Sequence, residues 1–335
     1  MASGQERELR RRIKSVQSTK KITKAMELIS ASRIAKAQER VAAARPYSER
    51  ITDVIRNLAA AGAGGDSALL NPREEIATVA YVVVAADRGL AGGYNSAVIR
   101  AAERAMAADQ EAGRSTALIT VGKKATGYFR FRGWDIAASF IGFSDQPAYE
   151  DAREVATHVA ERFESGEYSE VHLAYTRFLS MGSQVAEVAQ YMPLDTSALV
   201  EGAEASGPTA DYEFEPNPTE ILERLLPRYA EARLYAALLD AAASEHAARQ
   251  RAMKSATENA EEMIVKLSRV MNRARQDAIT TEIMEIVGGA EALRQSATSG
   301  SDLLVDRVNP EDLLGPDLRT QTATRTDHFS SQEQS

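Results

Sequence analysis

The residues best suited to chemistry lie in one turn, Asp87-Arg88-Gly89-Leu90-Ala91-Gly92-Gly93-Tyr94-Asn95, which follows the apolar run Val82-Val83-Val84. A glycine-rich turn that enters a helix can present backbone N–H groups to a phosphate. Gly89, Gly92 and Gly93 do not keep the spacing of the dinucleotide fingerprint, however, and Gly122-Lys123 has Ala117 where a P-loop needs its first glycine. A purely structural turn and a phosphate cradle are both open readings of this stretch. The four histidines, His158, His172, His246 and His328, show no ligand spacing, and the chain has neither a metalloprotease helix nor a nucleophile elbow. Asp240 and Glu245 fall on a predicted helix, where acidic residues are ordinarily solvated. No catalytic constellation, metal site or cofactor site is expected.

The chain has no cysteine, which excludes thiolate nucleophiles, zinc–thiolate centres and disulfides. With 44% hydrophobic and 26% charged residues it reads as globular. The net charge of −8 conceals a division: residues 1–50 carry 13 Lys/Arg against 5 Asp/Glu, a local +8, and the remainder stands at −16. The basic side chains include Arg10, Arg11, Arg12, Lys14, Lys20, Lys21, Lys24, Arg33, Lys36 and Arg40. Such a face suits a nucleic-acid groove, a solvated surface or a docking site for acidic protein partners. No apolar run reaches the length of a membrane span. The basic N-terminus also lacks the apolar stretch of a signal peptide, so export is not expected.

Positioning these residues falls to two long helices. The C-terminal one is predicted over 227–293, with Pro227 suited to the first helical position and Gly288-Gly289 to an ending. Its roughly 60 residues would extend about 90 Å, and Met253, Ala256, Ala260, Met263, Leu267, Val270 and Ala274 form a seam repeating every 3.5 residues. A second helix is predicted over 1–58, with apolar groups Leu9, Ile13 and Val16, then Ile22, Met26 and Ile29, then Ile34, Ala37 and Val41. The stripe changes phase between groups, and Pro46 interrupts or kinks the helix. Each seam would leave apolar surface in water alone. The fold class expected is therefore α/β, a long antiparallel two-helix coiled coil from the chain termini plus a Rossmann-like α/β middle domain.

That middle domain is expected over 70–208, after a small-residue linker at 59–66. Strands near 76–86 and 117–121 alternate with helices near 95–109, 123–131 and 149–164, an order that argues for a mainly parallel sheet. Two strands near 171–178 and 184–190 follow, joined at Met181-Gly182. A connector over 209–226 passes through Tyr212, Phe214, Pro216 and Pro218 and ends in a short helix at 220–226. The segment 294–335 is polar and is expected to be a disordered tail.

Three separated motifs carry a resemblance. They are Ile13-Lys14-Ser15-Val16 with Lys21-Ile22-Thr23-Lys24-Ala25-Met26-Glu27, then Asp87-Arg88-Gly89-Leu90 with Gly92-Gly93, then Ser244-Glu245-His246-Ala247-Ala248-Arg249 with Asn272, Ala274-Arg275-Gln276 and Ile279-Thr280. In this order, over residues 1 to about 293, the chain closely resembles the gamma subunit of the bacterial F-type ATP synthase. The resemblance implies a non-catalytic central-stalk rotor, one copy per complex, without cofactor. It would couple proton flow through a membrane c-ring to ATP synthesis in a hexamer of alpha and beta subunits, with an epsilon subunit as further partner. It also implies peripheral attachment at the cytoplasmic side of the plasma membrane. By motif match, Met26, Arg249, Arg275, Gln276 and Thr280 would contact the beta subunits, and Tyr212 and Glu215 would face the membrane ring. The segment 294–335 lies outside the resemblance. The alternative reading is a basic-helix coiled-coil protein that binds nucleic acid or serves as an adaptor.

Overall fold

The computed structural model describes residues 2–60, 67–73, 75–194 and 217–304. Two long helices, α1 (Ala2–Ala60) and α5 (Pro218–Leu304), flank strands β1 (Thr78–Val84), β2 (Ser115–Val121), β3 (Ala138–Phe140), β4 (Glu170–Phe178) and β5 (Gln184–Met192) in the chain. Between the strands run α2 (Tyr94–Glu111), α3 (Lys123–Phe131) and α4 (Tyr149–Glu164). The single sheet has the order β3-β2-β1-β4-β5. Its first four strands are parallel, and β5 closes antiparallel on β4 as a hairpin. The short strand β3 was not foreseen in the sequence.

β1 lies at the centre and is covered on both faces, which is why it reads as an unbroken apolar run. Val79, Tyr81 and Val83 pack with Val98, Ala102 and Met106 of α2 and Phe129 of α3. Ala80, Val82 and Val84 face α4, through Val155, Val159 and Phe163, and both terminal helices, through Ile55, Leu58, Leu226 and Leu234. The roots of α1 and α5 thus belong to the sheet's own core. The chain accordingly forms one compact unit over Val16–Met263, and a second from Met1–Ser15 with Ile264–Ser335. The division falls inside the long helices rather than at 58 and 227.

Several sequence boundaries are corrected. α5 starts at Pro218, so residues 218–226 belong to the long helix and not to a connector. The first-turn proline is Pro218, preceded by Asn217, whose side-chain oxygen accepts the Thr219 N–H at 2.9 Å. Pro227 sits inside the helix, held there by the neighbouring buried side chains Leu222, Leu226 and Tyr229. Pro46 likewise lies within α1. At the other end α5 continues beyond Leu293 to Leu304. Gly288 and Gly289 do not take the positive φ that ends a helix. The expectation for the tail beyond 304 lies outside the described residues.

The seams also differ from expectation. On α1 a continuous covered row runs Leu9, Ile13, Val16, Lys20, Thr23, Glu27, Ser30, Ile34, Ala37 and Val41, steps of four and three with no change of phase, with Met26 and Arg33 half-buried beside it. The expected seam residues Ile22 and Ile29 point outward, 60% and 54% exposed. On α5 the covered stripe is Met253, Thr257, Ala260, Ile264, Leu267, Met271 and Ala274, and the expected members Met263 and Val270 are each 50% exposed. Within the larger unit, Lys20 pairs with Glu261 at 2.6 Å and the Thr23 and Thr257 hydroxyls meet at 2.8 Å. As α1 advances α5 recedes, so the pairing is antiparallel. In the smaller unit, Leu9 and Ile13 are buried and Ile264, Leu267 and Met271 are half-covered.

Candidate functional site

The turn after β1 is built by staples. The Asp87 carboxylate accepts N–H groups from Lys123 at 3.0 Å, Gly142 at 2.9 Å and Ser144 at 3.1 Å, which caps α3 and ties two loops together. The Ser144 hydroxyl accepts from the Asp87 N–H at 2.8 Å, and the Asn95 side chain accepts from the Ala86 N–H at 2.8 Å. Gly122 has φ +93°, and a Cβ there would stand 2.0 Å from the Ala85 carbonyl oxygen. Only glycine fits that close approach. Leu90 holds φ +63° with its side chain exposed, a conformation that costs a non-glycine residue energy and is concentrated at functional surfaces.

Against this turn α5 presents Glu245, His246 and Arg249. Arg249 donates to the Glu245 carboxylate at 2.7 Å, with both side chains buried. The same guanidinium reaches the Gly89 carbonyl at 3.3 Å and the Arg88 carbonyl at 3.5 Å. Burial pushes the Glu245 carboxyl up despite the opposing pull of Arg249, and Ser144 adds a hydrogen bond at 3.3 Å. Burial also pushes His246 down. Its Nε2 lies 3.0 Å from the Asp145 carbonyl; a carbonyl only accepts, so Nε2 carries the proton. Asp145 in turn binds Arg33 of α1 through its carboxylate. Both long helices and the loops at 87–90 and 142–145 are therefore pinned at one place.

A cleft of about 340 Å³ opens beside this clamp, lined by Met26, Ile29, Ser30, Arg33, Arg88, Gly89, Leu90, His246 and Arg249. Its apolar walls and arginine edges suit an apolar side chain flanked by carboxylates on a partner segment. Nothing in it pairs a nucleophile with a base. Among the described residues no cluster could hold a metal ion, and no helix is long and apolar enough to cross a membrane.

The cleft gathers the three sequence motifs. Met26 and Arg249 meet in it, the first half-buried and the second buried and bonded within the chain. Arg275, Gln276 and Thr280 lie exposed on α5, where the Thr280 hydroxyl bonds the Gln276 carbonyl at 3.0 Å. Tyr212 and Glu215 lie outside the described residues. Glu245, expected to be solvated, is instead the buried centre of the clamp. Asp145 and Ser144 were not anticipated, since isolated polar residues in a loop carry no sequence signal. The basic face of α1 is partly paired within the chain, by Arg10–Glu6, Arg12–Glu8 and Lys24–Glu27.

Comparison with known proteins gives a consistent picture. The family described as ATP synthase matches residues 5–293. An ATP synthase gamma chain of Parafrankia sp. is 52% identical over 301 residues, 88% of this chain and 100% of the relative. One from Mycobacterium tuberculosis is 48% identical over 303 residues, covering 87% and 98%. A chain from the Euglena gracilis mitochondrial ATP synthase shares the fold with TM-score 0.60 at 16% identity, covering 92% of this chain and 99% of that one. Another, from the central stalk and c-ring of the Tetrahymena thermophila mitochondrial enzyme, does so with TM-score 0.53 at 23% identity, covering 70% and 99%. These matches give the nucleic-acid or adaptor reading no support.

Proposed function

The chain belongs to the ATP synthase gamma-chain family, and from that premise we propose that it is the central rotor of a proton-transporting ATP synthase. In this reading it hydrolyses nothing itself. It turns inside a hexamer of alpha and beta subunits, one copy per complex, with the epsilon subunit and the membrane c-ring attached at its foot. It is peripheral to the membrane on the cytoplasmic side, and proton flow through the ring drives ATP synthesis.

The observation that carries the reading is the placement of apolar side chains on the outside of the paired helices, at Ile22, Ile29, Met263 and Val270, while Thr23 and Thr257 meet inside. Such surface calls for a surrounding partner. A shaft can hold ring sites in different states only through contacts that differ around its girth. The cleft bearing Met26 and Leu90 is one such asymmetric contact, which a lever segment of the beta subunit would enter. Arg249 acts there by fixing the cleft wall, and Arg275, Gln276 and Thr280 supply polar contacts further along α5. Tyr212 and Glu215 would meet the ring.

Reconstitution tests the proposal. The isolated chain is expected to hydrolyse no ATP, and mixing it with alpha and beta subunits is expected to give an active complex with one copy per hexamer. Three copies per hexamer, or hydrolysis by the chain alone, would reject it.

A further inference from the structure

Two adjoining cavities lie between α1, the start of α4 and α5, inside the larger compact unit. The first, of about 420 Å³, has three tyrosines in its walls: Tyr47 of α1, Tyr149 at the start of α4 and Tyr235 of α5. Three alanines and Leu239 complete the apolar lining and leave the space between the rings unfilled. The second, of about 230 Å³, shares Ser48, Ala236 and Asp240 with the first. Asp240 therefore stands where the two spaces meet.

The charges around this space decide what it suits. The Tyr149 hydroxyl donates to the Glu231 carboxylate at 2.7 Å, and Glu231 is itself neutralised by Arg228 at 3.0 Å. On the sheet side Arg177 pairs with Glu187 at 3.5 Å, and Glu187 also holds the Tyr175 hydroxyl. With those pairs cancelled, the lining of the larger cavity holds Glu49 and Asp240 against Arg45. Glu49 and Arg45 are exposed and are screened by water at the mouth. Asp240 is half-buried, and among the described residues no basic side chain forms a salt bridge with it. Burial pushes its carboxyl up to about 6, against weaker opposing pulls from Arg177, the Phe178 N–H and Arg45. A carboxylate drawn out of water without a counter-ion is costly, and a cation placed in the empty space beside it offsets that cost. Aromatic rings attract the same kind of cation through the negative potential of their faces, and Tyr149 and Tyr235 are held edge to face with centroids 5.6 Å apart.

We propose that the tyrosine-walled cavity binds a small organic ammonium ion, its cationic head between the tyrosines and Asp240 and its apolar part against Leu239 and the alanines. A metal cation is a poor fit, because it needs several oxygen ligands and no such cluster exists among the described residues. An anion would meet Asp240 at close range. The site is independent of the rotor reading, since it shares no side chain with the Met26 cleft.

The experiment is titration of the full-length chain with benzyltrimethylammonium, whose charge is fixed, read by calorimetry and by saturation-transfer NMR. Phenylacetate and benzyl alcohol serve as the anionic and neutral counterparts at matched ionic strength. Saturable binding is expected for the cation alone, weakened at least about tenfold by Asp240→Asn and about fivefold by Tyr235→Leu. A bound cation favours the ionised carboxylate, so binding near pH 6 is expected to release a proton, seen as a heat that depends on the buffer, and affinity is expected to fall as pH drops through that value. Asp240→Asn is expected to abolish both effects, which a merely structural aspartate would not produce. Tyr47→Leu, at the exposed rim, provides a second aromatic variant if Tyr235→Leu misfolds. Absence of saturable binding up to about 10 mM cation overturns the proposal, as does equal binding of phenylacetate or benzyl alcohol, or unchanged affinity in Asp240→Asn. Preferential binding of a lysine-bearing tripeptide over the organic cation overturns it in favour of a peptide-docking face.

Discussion

Replacing Arg249 by Met isolates the clamp between α5 and the loop at 87–90. The guanidinium is paired to Glu245 at 2.7 Å, and the two side chains are only 8% and 1% exposed. Methionine keeps much of the bulk, so the chief effect is to strand a buried carboxylate, a change that costs roughly 3–5 kcal/mol at neutral pH. Because the chain has two compact units, the suitable measure is local opening by native-state amide hydrogen exchange around residues 86–95 and 244–250. Opening is expected to rise by at least about a hundredfold at pH 7. Burial already makes folded Glu245 hold its proton more tightly than the unfolded chain does, and loss of Arg249 strengthens that preference. The penalty is therefore full above the folded pKa and shrinks as pH falls through it toward the unfolded carboxylate range. Glu245→Met combined with Arg249→Met removes both charges and recovers most of the loss. An increase in opening below threefold, or a penalty independent of pH between 4 and 7, would refute the clamp.

Gly122→Ala places a Cβ 2.0 Å from the Ala85 carbonyl oxygen at φ +93° and is expected to destabilise the larger unit by about 3 kcal/mol or more. The mid-helix Gly127, whose Cβ would meet nothing within 4 Å, serves as control, and its alanine variant should gain about 0.5–1 kcal/mol in the same denaturation assay. Burial pushes Asp240 up to about 6, so its contribution favours folding at low pH and is lost as pH rises from about 4 through 6. Asp240→Asn should raise stability at pH 7 by about 1–2 kcal/mol, after allowance for partial exposure, and flatten that pH dependence in paired thermal melts. Ile22→Ser with Ile29→Ser should leave the isolated chain's melting within about 0.5 kcal/mol yet lower ATP-driven proton pumping in the assembled complex.

Much of the middle of the chain was legible because local and tertiary preferences agree there. The apolar run at 79–84, the glycine turn and the periodic helices at 123–131 and 149–164 fall where the sequence places them. The proline and glycine signals in the long helices were outvoted by packing. Pro227 lies between Leu226 and Tyr229, both buried, and one lost backbone hydrogen bond does not outweigh that burial. The site was legible as motifs but not as geometry. Met26, Arg88 and Arg249 could be named from sequence, whereas the buried state of Glu245 required knowing that the loop at 142–145 closes over it.

The seams were misread for a more instructive reason. Met253, Ala260, Leu267 and Ala274 are compatible with a second row either three or four residues further on, and the apolar Met263 and Val270 favoured the wrong row over Thr257, Ile264 and Met271. On α1, carrying the steps of Leu9, Ile13 and Val16 forward lands on Lys20, Thr23, Glu27 and Ser30, so the apparent change of phase is a polar stretch in an unbroken seam. A reading that assigns every apolar residue to the interior must fail wherever a helix pair is itself the interior of something larger. Ile22, Ile29, Met263 and Val270 were assigned inward because they are apolar, and they face outward. Under the proposed function their residue types answer to the environment of the assembly, where an enclosing collar would remove from water what the partner helix does not. On the proposed rotor reading, the hydroxyl pair of Thr23 and Thr257 inside and the isoleucines outside are two consequences of one constraint: a shaft turning within a collar would place its apolar surface where the collar is.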